Sequence, residues 1–184
     1  PLQHHRVTDN HTFLNPKIGY QIWKTINGKN VMRDWSYSTS HIAPSIMNML
    51  NITDTSNPLV VNLGNPNLKS TLDHKIEFNN SISDKRHTIT YDLSWFLHEH
   101  MVATARLFNP ATGVSTFQPR NIEGNWESYA RFNYESDVDK KAVWRLGTNT
   151  SLSYLNNSDY ASMSNKVERS SVQTFTLNER LKAT

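Results

Sequence analysis

Apolar and polar side chains alternate with a period of two through the middle of the chain. The even positions from residue 72 to residue 79 are Leu72, His74, Ile76 and Phe78, and the odd positions between them are charged or polar. After the polar turn 83–86, the odd positions from Ile89 to Leu97 are apolar. Because successive side chains of a β-strand point to opposite faces, the two runs predict a long hairpin whose strands each have one apolar face.

Similar alternation elsewhere predicts two further hairpins and one last strand. These runs lie at residues 17–23, 31–37, 125–135, 142–154 and 172–181. The first two flank Asn27-Gly28, a dipeptide suited to a type I′ hairpin turn because both central residues must adopt positive φ. The last run has no predicted partner strand.

The connections are predicted to be short and charged at one end of the sheet and long and polar at the other. The long ones are 38–67, 106–118 and 156–165. Strands of about ten residues joined in this way are typical of a transmembrane β-barrel, in which apolar side chains face lipid and polar ones face a wet interior. A soluble antiparallel sheet or β-sandwich alternates in the same way, so the pattern alone leaves both folds open.

The barrel interpretation predicts which side chains share a face. The outward set is Ile76, Phe78, Ile89, Tyr91, Leu93, Phe132, Trp144 and Leu146. The inward set is Lys75, Glu77, Thr90, Asp92, Arg131, Asn133 and Arg145. Tyr129 is the one large aromatic residue expected on the polar side of its strand, and the tryptophans are expected in interfacial girdles or on the lipid face.

Composition excludes several other classes of protein. Hydrophobic residues make up 36% of the 184 residues, and the mean hydropathy is −0.63. No apolar run is long enough for a transmembrane helix, whereas half-apolar strands need no such run. A net charge of +3 is too small and too scattered for a nucleic-acid surface. The absence of cysteine excludes a disulfide framework and cysteine-based metal sites.

The segment from Tyr37 to Phe78 carries a more specific signal. It contains Asn57-Pro58-Leu59 and the run "GNPNLK" from Gly64 to Lys69. In this order the two motifs resemble the loop-and-strand region of TonB-dependent outer-membrane receptors, in particular the outer-membrane β-barrel family common in Bacteroidetes. Later pieces, "FNPATGVSTFQPRNIEGNW" and "TFTLNERLKAT", are similar to the family in the same order. Ser70-Thr71 departs from the family's proline and acidic residue at the loop exit.

The resemblance implies an all-β fold, an antiparallel meander of long hairpins that forms part of a transmembrane β-barrel. A tail at 1–12 would precede the barrel segment at 13–184, with the long loop 38–67 within it. Such receptors close at about 22 strands, so the chain is expected to be a fragment of a larger protein. The implied location is the outer membrane of a Gram-negative bacterium, and the implied role is nutrient uptake, with extracellular loops contributing to ligand recognition.

The implied partners are outer-membrane lipid and the remainder of the receptor chain, which includes a plug and other strands. TonB and a surface lipoprotein are candidate partners of the intact protein, and nucleic acid is not expected. The alternative function, from the sandwich interpretation, is a soluble extracellular module that binds glycans on exposed aromatic side chains.

Candidate functional residues lie mainly in the long loop. Ligand contact or loop shaping is predicted for Asn57, Pro58, Gly64, Asn65, Pro66 and Asn67. His98 and His100 are two residues apart, a spacing that places both imidazoles on one side of a strand, and they are weak candidates for a metal half-site. Asp34, Asp73, Asp92 and Glu127 are best interpreted as members of a solvated face. No catalytic motif is present, so neither an enzyme nor a cofactor is expected.

Overall fold

The computed structural model describes residues 12–50, 53–160 and 167–183. Its elements in chain order are β1 (Lys17–Ile26), β2 (Lys29–Ile42), α1 (Ile46–Met49), β3 (Thr53–Asn57), β4 (Val60–Leu63), β5 (Thr71–Ser83), β6 (His87–Glu99), β7 (Met101–Asn109), β8 (Val114–Ile122), β9 (Asn125–Asp137), β10 (Trp144–Tyr160) and β11 (Val167–Ala183). Seven of the strands form one antiparallel sheet in the order β1-β2-β5-β6-β9-β10-β11. A smaller sheet has the order β3-β4-β8-β7. The predicted all-β meander of long hairpins is confirmed.

Several predicted loop boundaries are wrong, because main-chain pairing continues through polar residues. The loop expected at 38–67 begins only after Ile42, and it contains α1, β3 and β4. The loop expected at 106–118 is instead the hairpin of β7 and β8. Of the loop expected at 156–165, residues up to Tyr160 belong to β10, and the rest lies outside the described residues. The last strand does have a partner, because β11 pairs with β10 along its whole length.

The register keeps apolar and polar side chains on separate faces across the whole sheet. One cross-strand row consists of Tyr20, Trp35, Phe78, Leu93, Ala130, Leu152 and Phe175. The adjacent row, which points to the other face, consists of Gln21, Asp34, Asn79, Asp92, Arg131, Ser151 and Thr176. The first face is called the apolar face below and the second the polar face. The predicted outward and inward sets fall on these two faces without exception.

The apolar face is uncovered. Its side chains include Leu93, which is 49% exposed, and Phe175, which is 66% exposed. The buried apolar side chains of the described chain are instead Met49, Leu68, Ala105 and Ile122, which belong to the connections and the small sheet. A β-sandwich would pack the apolar face against a second sheet across a dry core. The sandwich interpretation is therefore wrong for the described residues.

The short connections all lie at one end of the sheet. Asn27 and Gly28 join β1 to β2 with φ values of 50° and 75°, as the type I′ turn requires. Residues 84–86 join β5 to β6, and residues 138–143 join β9 to β10. At the other end, residues 43–70 join β2 to β5 and residues 100–124 join β6 to β9. The predicted alternation of short turns and long excursions is confirmed for these five connections, whereas the one between β10 and β11 lies outside the described residues.

Four of the five tryptophans lie on the apolar face, namely Trp35, Trp95, Trp126 and Trp144. At the long-connection end, Trp126 stacks on Tyr154 with ring centroids 4.7 Å apart and meets the edge of Trp95 at 6.3 Å. Such clusters suit a membrane interface, where an apolar ring with a polar edge is stable. Trp23 departs from the expectation, because its position in the register places it on the polar face.

We predict that an arginine on the apolar face blocks membrane assembly and that a leucine on the polar face does not. Phe132→Arg would place a guanidinium in lipid, at a cost of about 2–4 kcal/mol near the bilayer midplane. Arg131→Leu, at the neighbouring residue, changes only the polar face. Heat-modifiable migration of the intact protein from outer-membrane fractions measures assembly. Normal assembly of Phe132→Arg together with failure of Arg131→Leu would show that the faces are assigned the wrong way round.

A second prediction concerns the turn between β5 and β6. Asp84 Oδ1 accepts hydrogen bonds from the main-chain N–H groups of Arg86 and His87, both at 2.8 Å. These bonds, with a smaller contribution from the charges of His87 and Lys29, hold the pKa of Asp84 below its ordinary value of 3.8. A carboxylate with a depressed pKa stabilises the folded turn above its unfolded-state pKa, and the stabilisation is lost as the pH falls through the folded-state pKa.

Asp84→Asn should therefore increase amide hydrogen exchange in residues 84–87 at pH 7, when it is compared with wild type at the same pH. The difference between the two proteins should shrink as the pH falls below 3.8. A difference that is the same at pH 7 and pH 3 would exclude the carboxylate charge as its cause.

Candidate functional site

The two long connections join into one body, here called the cap and defined as residues 43–70 and 100–124. Strand β4 pairs in parallel with β8, where Val60, Val61 and Asn62 face Ser115, Thr116 and Phe117. Parallel neighbours cannot be joined by a tight turn, and here β4 and β8 come from different connections. The small sheet therefore ties the excursion after β2 to the excursion after β6.

Asn57 and Pro58 form the turn that brings β3 into β4. The Oδ1 atom of Asn57 accepts the main-chain N–H of Leu59 at 3.0 Å, an Asx turn that a following proline favours. The carbonyl oxygen of Leu59 then accepts the N–H of Ser115 at 2.9 Å. The turn thus places the short apolar run of β4 next to β8, the strand with which it pairs.

Gly64 lies where the main chain of the Leu50 segment passes close to its own. A Cβ atom at this position would stand 1.6 Å from the carbonyl oxygen of Leu50, so only glycine fits without a shift of the backbone. The next residue continues this contact, because the N–H of Asn65 donates to the carbonyl oxygen of Asn48 at 2.7 Å. The close approach explains why a glycine begins the "GNPNLK" run.

The side chain of Asn65 links two segments of the cap. Its Nδ2 atom donates to the carbonyl oxygen of Pro119 in β8 at 3.0 Å, and its Oδ1 atom accepts the N–H of Asn67 at 3.0 Å. Pro66 stands between these two asparagines at the surface, and Leu68 is buried beside them. The six loop residues predicted from the sequence therefore lie at two turns of one cap, and their polar atoms bond mainly to the main chain.

Asn121 makes the matching contact from β8; it lies in the run "FNPATGVSTFQPRNIEGNW" that resembles the family, but no role was predicted for it. Its Oδ1 atom accepts the N–H of Lys69 at 2.8 Å, while Nδ2 donates to the carbonyl oxygens of Lys69 at 3.0 Å and His100 at 2.6 Å. An asparagine separated by 52 residues from its partner cannot be recognised from local pattern. Asn121 thus joins Lys69, near the end of the first connection, to the bend at His100 that precedes β7.

The cap has a groove of about 310 Å³ on its surface. Its lining is largely apolar and includes Met47, Leu50, Leu63, Phe117 and Pro119. Met47 is 74% exposed. The groove offers shape and apolar contact surface at the long-connection end of the sheet, beside main-chain groups of Gly64 and Asn48.

The two candidate metal ligands do not share one side of a strand, and that expectation is wrong. β6 ends at Glu99, and His100 adopts a φ of 58°, which turns the chain into β7. His98 Nδ1 pairs with Asp73 Oδ1 at 2.7 Å, while His100 Nδ1 contacts Glu123 Oε1. In the described portions of the chain, no three or more histidine, aspartate or glutamate side chains come together in a way that could hold a metal ion.

The polar face carries a second groove, of about 430 Å³, which crosses the middle of the sheet. Its polar-face lining consists of Asn79, Asp92, Ser94, Tyr129, Arg131, Ser151, Ser153, Thr174 and Thr176. These residues come from β5, β6, β9, β10 and β11, so a single groove touches strands that are far apart in the sheet. The sheet therefore curves around its polar face, which is the concave one.

Aromatic and charged side chains meet beside this groove. Tyr129 is 45% exposed, donates its hydroxyl hydrogen to Glu127 Oε2 at 2.7 Å, and meets the ring of Phe96 edge to face at 6.0 Å. Lys75 Nζ lies 5.4 Å from the centroid of Phe96 and 2.7 Å from Glu77 Oε1. The sequence indicated Tyr129 on this side; Phe96 lies within the predicted strand, between Trp95 and Leu97, but was not singled out.

The four carboxylates that were interpreted as a solvated face all lie on the polar face, with neighbours of their own. Asp34 accepts a hydrogen bond from Gln21 at 3.3 Å. Asp73 and Glu127 lie on either side of His98, with Glu127 Oε1 at 3.7 Å from its Nε2 atom. Asp92 stands opposite Arg131 in the register of β6 and β9. This surface can hold a polar ligand through carboxylate, guanidinium, amide and hydroxyl groups.

Comparison with known proteins gives one match. The model of the outer membrane protein beta-barrel family matches residues 6–184. No curated protein and no solved structure matches the chain. Within the described residues, no helix is long and apolar enough to cross a membrane.

We predict that the close contact at Gly64 holds the cap together. Gly64→Ala should force the Leu50 segment away and raise the rate of protease cleavage within residues 43–70 by about tenfold, which corresponds to ~1.4 kcal/mol of opening free energy. Gly147→Ala is the matched control, because a Cβ there meets its nearest atom at an ordinary 3.7 Å. Equal cleavage rates in the two variants would show that the cap does not depend on this contact.

Proposed function

Because this chain belongs to the outer membrane protein beta-barrel family and so lies in the bacterial outer membrane, we propose that it forms part of the wall of a TonB-dependent receptor that imports a nutrient. The cap contributes to ligand recognition on the cell surface. A Bacteroidetes source and coupling to TonB are parts of the same proposal, and they are supported by the resemblance of the "NPL" and "GNPNLK" motifs. No enzymatic activity is proposed.

The observation that carries the proposal is the concave polar face. A wall whose apolar side meets lipid and whose polar side curves around a groove is suited to enclosing a water-filled path. The groove that runs from Asn79 on β5 to Thr176 on β11 is lined by hydroxyl groups and by Asp92 and Arg131. These groups can exchange hydrogen bonds with a passing polar solute as readily as with water.

Tyr129 supplies a different kind of contact to the same path. An exposed ring with a fixed hydroxyl can stack on the apolar face of a ligand while neighbouring polar groups bond its edges. The bond to Glu127 and the edge contact with Phe96 hold this ring in place. We therefore expect the nutrient to be a polar molecule with some apolar surface.

The cap suits a recognition role because its two connections are fixed to each other. Hydrogen bonds of Asn65 and Asn121 join its two connections, and the apolar side chains of Met49, Leu68, Ala105 and Ile122 are buried in it. Pre-organised loops lose little conformational freedom when they bind a ligand. The six predicted residues, Asn57, Pro58, Gly64, Asn65, Pro66 and Asn67, shape this platform, and its groove around Met47 is the candidate ligand contact.

Closure of the barrel is assigned to the remainder of the receptor. Within the described residues, β1 and β11 each pair on one side only, and lipid cannot satisfy the unpaired main-chain groups of a strand edge. Further strands of the same receptor would pair with both edges, and a plug would face the polar side. TonB and a surface lipoprotein would act through that intact protein.

Growth of the natural host tests the proposal. A deletion strain is compared with wild type on a panel of single carbon, nitrogen, iron and cobalamin sources, and the source on which only the deletion strain fails identifies the nutrient class. Cells that lack TonB should fail on the same source. Uptake of that nutrient at the wild-type rate without TonB would reject active import by this receptor.

Variants of the polar face then test the path. Tyr129→Ala and Arg131→Ala should lower uptake by about tenfold, equivalent to ~1.4 kcal/mol, while the protein still assembles in the outer membrane. Thr150→Ala, a small change on the apolar face, is the control. Wild-type uptake in both polar-face variants would place the ligand path elsewhere.

A further inference from the structure

Three basic side chains interrupt the apolar face near its short-turn end. Lys24 on β1 and Lys29 and Arg33 on β2 share that face and are all exposed. Lys24 stands opposite Val31, midway between the other two along the neighbouring strand. Diagonal neighbours in a sheet are about 7–8 Å apart, which long side chains can bridge. The three cations therefore form one patch, here called the basic patch.

The basic patch has little acidic charge near it. Asp84 lies in the β5–β6 turn, close enough to Lys29 for the lysine charge to act on it. Asp34 lies next to Arg33 in sequence but on the opposite face. Glu179 shares the apolar face but belongs to β11, five strand spacings from β2 in the sheet order, or about 24 Å. Among the residues that the structure describes, Lys24 and Arg33 thus face the lipid side without a carboxylate beside them.

The position of the patch in the membrane follows from the strand geometry. Short turns of outer-membrane barrels face the periplasm. Arg33 is four residues beyond Lys29, which is about 13 Å along the strand and about 10 Å in depth at a tilt near 40°. Long basic side chains extend toward the polar headgroups from such a depth. The patch therefore lies at the headgroup level of the periplasmic leaflet.

Asn80 provides a second and independent observation. It stands directly opposite Arg33 on the apolar face and is 1% exposed. Among the described residues, neither its Nδ2 nor its Oδ1 atom has a hydrogen-bond partner. Buried amides without partners are rare in native proteins. Here the amide belongs to a face that meets lipid and to a residue opposite Arg33 in the register, where a phosphate or glycerol oxygen bound at the patch would supply a partner.

We propose that the basic patch of Lys24, Lys29 and Arg33, together with the Asn80 amide, is a binding site for an anionic phospholipid headgroup of the periplasmic leaflet. The phosphate lies between Lys24 and Arg33, and Lys29 contributes at the membrane surface. A cation on a lipid-facing wall is costly in hydrocarbon and favourable beside an anionic headgroup. The site is independent of the transported nutrient and would persist if the transport proposal failed.

Lipid retention tests the site directly. The intact protein is purified in detergent, mixed with equal amounts of phosphatidylglycerol and phosphatidylcholine, and the retained lipids are counted by native mass spectrometry. Wild type should retain phosphatidylglycerol preferentially. The double variant Lys24→Gln/Arg33→Gln should weaken that retention by about twenty-five-fold, because each basic residue near an anionic surface contributes about fivefold. The control Lys140→Gln/Lys141→Gln removes the same charge from the exposed β9–β10 turn and should retain lipid as wild type does.

Folding into vesicles distinguishes a phospholipid site from cations that are only tolerated on the lipid face, because the two explanations predict different effects of the double variant. In phosphatidylcholine alone, the double variant should insert at least as well as wild type, because it has lost two cations from the lipid face. In vesicles that contain phosphatidylglycerol, it should lose that advantage. Equal retention of both lipids by wild type, or an equal gain of the variant in both kinds of vesicle, would overturn the proposal and leave these cations as tolerated charges or as contacts for an acidic protein surface.

Discussion

The fold depends on the requirement that every main-chain polar group in a lipid environment be bonded within the protein while the side chains of each strand alternate between two solvents. The unbroken register from β1 to β11 meets both conditions for the strands between these two edge strands. A slip of one residue in any pair would move a whole strand's charged side chains to the apolar face. This explains how a chain with a mean hydropathy of −0.63 can still present a continuous apolar surface.

The cap follows a different principle from the wall. In the wall, the arrangement of the strands is determined by the alternation of apolar and polar side chains and by the main-chain hydrogen bonds between neighbouring strands. In the cap, the arrangement is determined by a few asparagine side chains bonded to distant main-chain atoms and by a glycine that lets two main-chain segments pass close to each other. The parallel pairing of β4 with β8 joins the two excursions into one platform. The polar face and the cap can then present fixed groups to a solute from two directions.

The alternation of Ile76 with Lys75 and Glu77, and of Phe132 with Arg131 and Asn133, was sufficient to predict the strands and their faces, because lipid and water select opposite side chains. The same signal is absent from residues 106–118 and from the end of β10, so these were predicted as loops. The partner of β11 was missed because strand pairing is a long-range choice that local pattern does not encode. Asn65 was found through the "GNPNLK" motif. Asn121 lies in a run that also resembles the family, but its role, like the bend at His100, depends on contacts that only the folded chain shows.

Accessibility of single cysteines to lipid and water tests the two-solvent account most directly, and the chain has no native cysteine to interfere. Nitroxide labels at Leu93→Cys and Phe132→Cys should collide mainly with oxygen dissolved in the bilayer. Labels at Asp92→Cys and Asn133→Cys, each adjacent to one of these positions, should collide mainly with a water-soluble nickel chelate. This alternation between neighbouring residues is the predicted result for the intact protein in its membrane. Accessibility that did not alternate, or that alternated with the opposite sign, would contradict the assignment of the two faces.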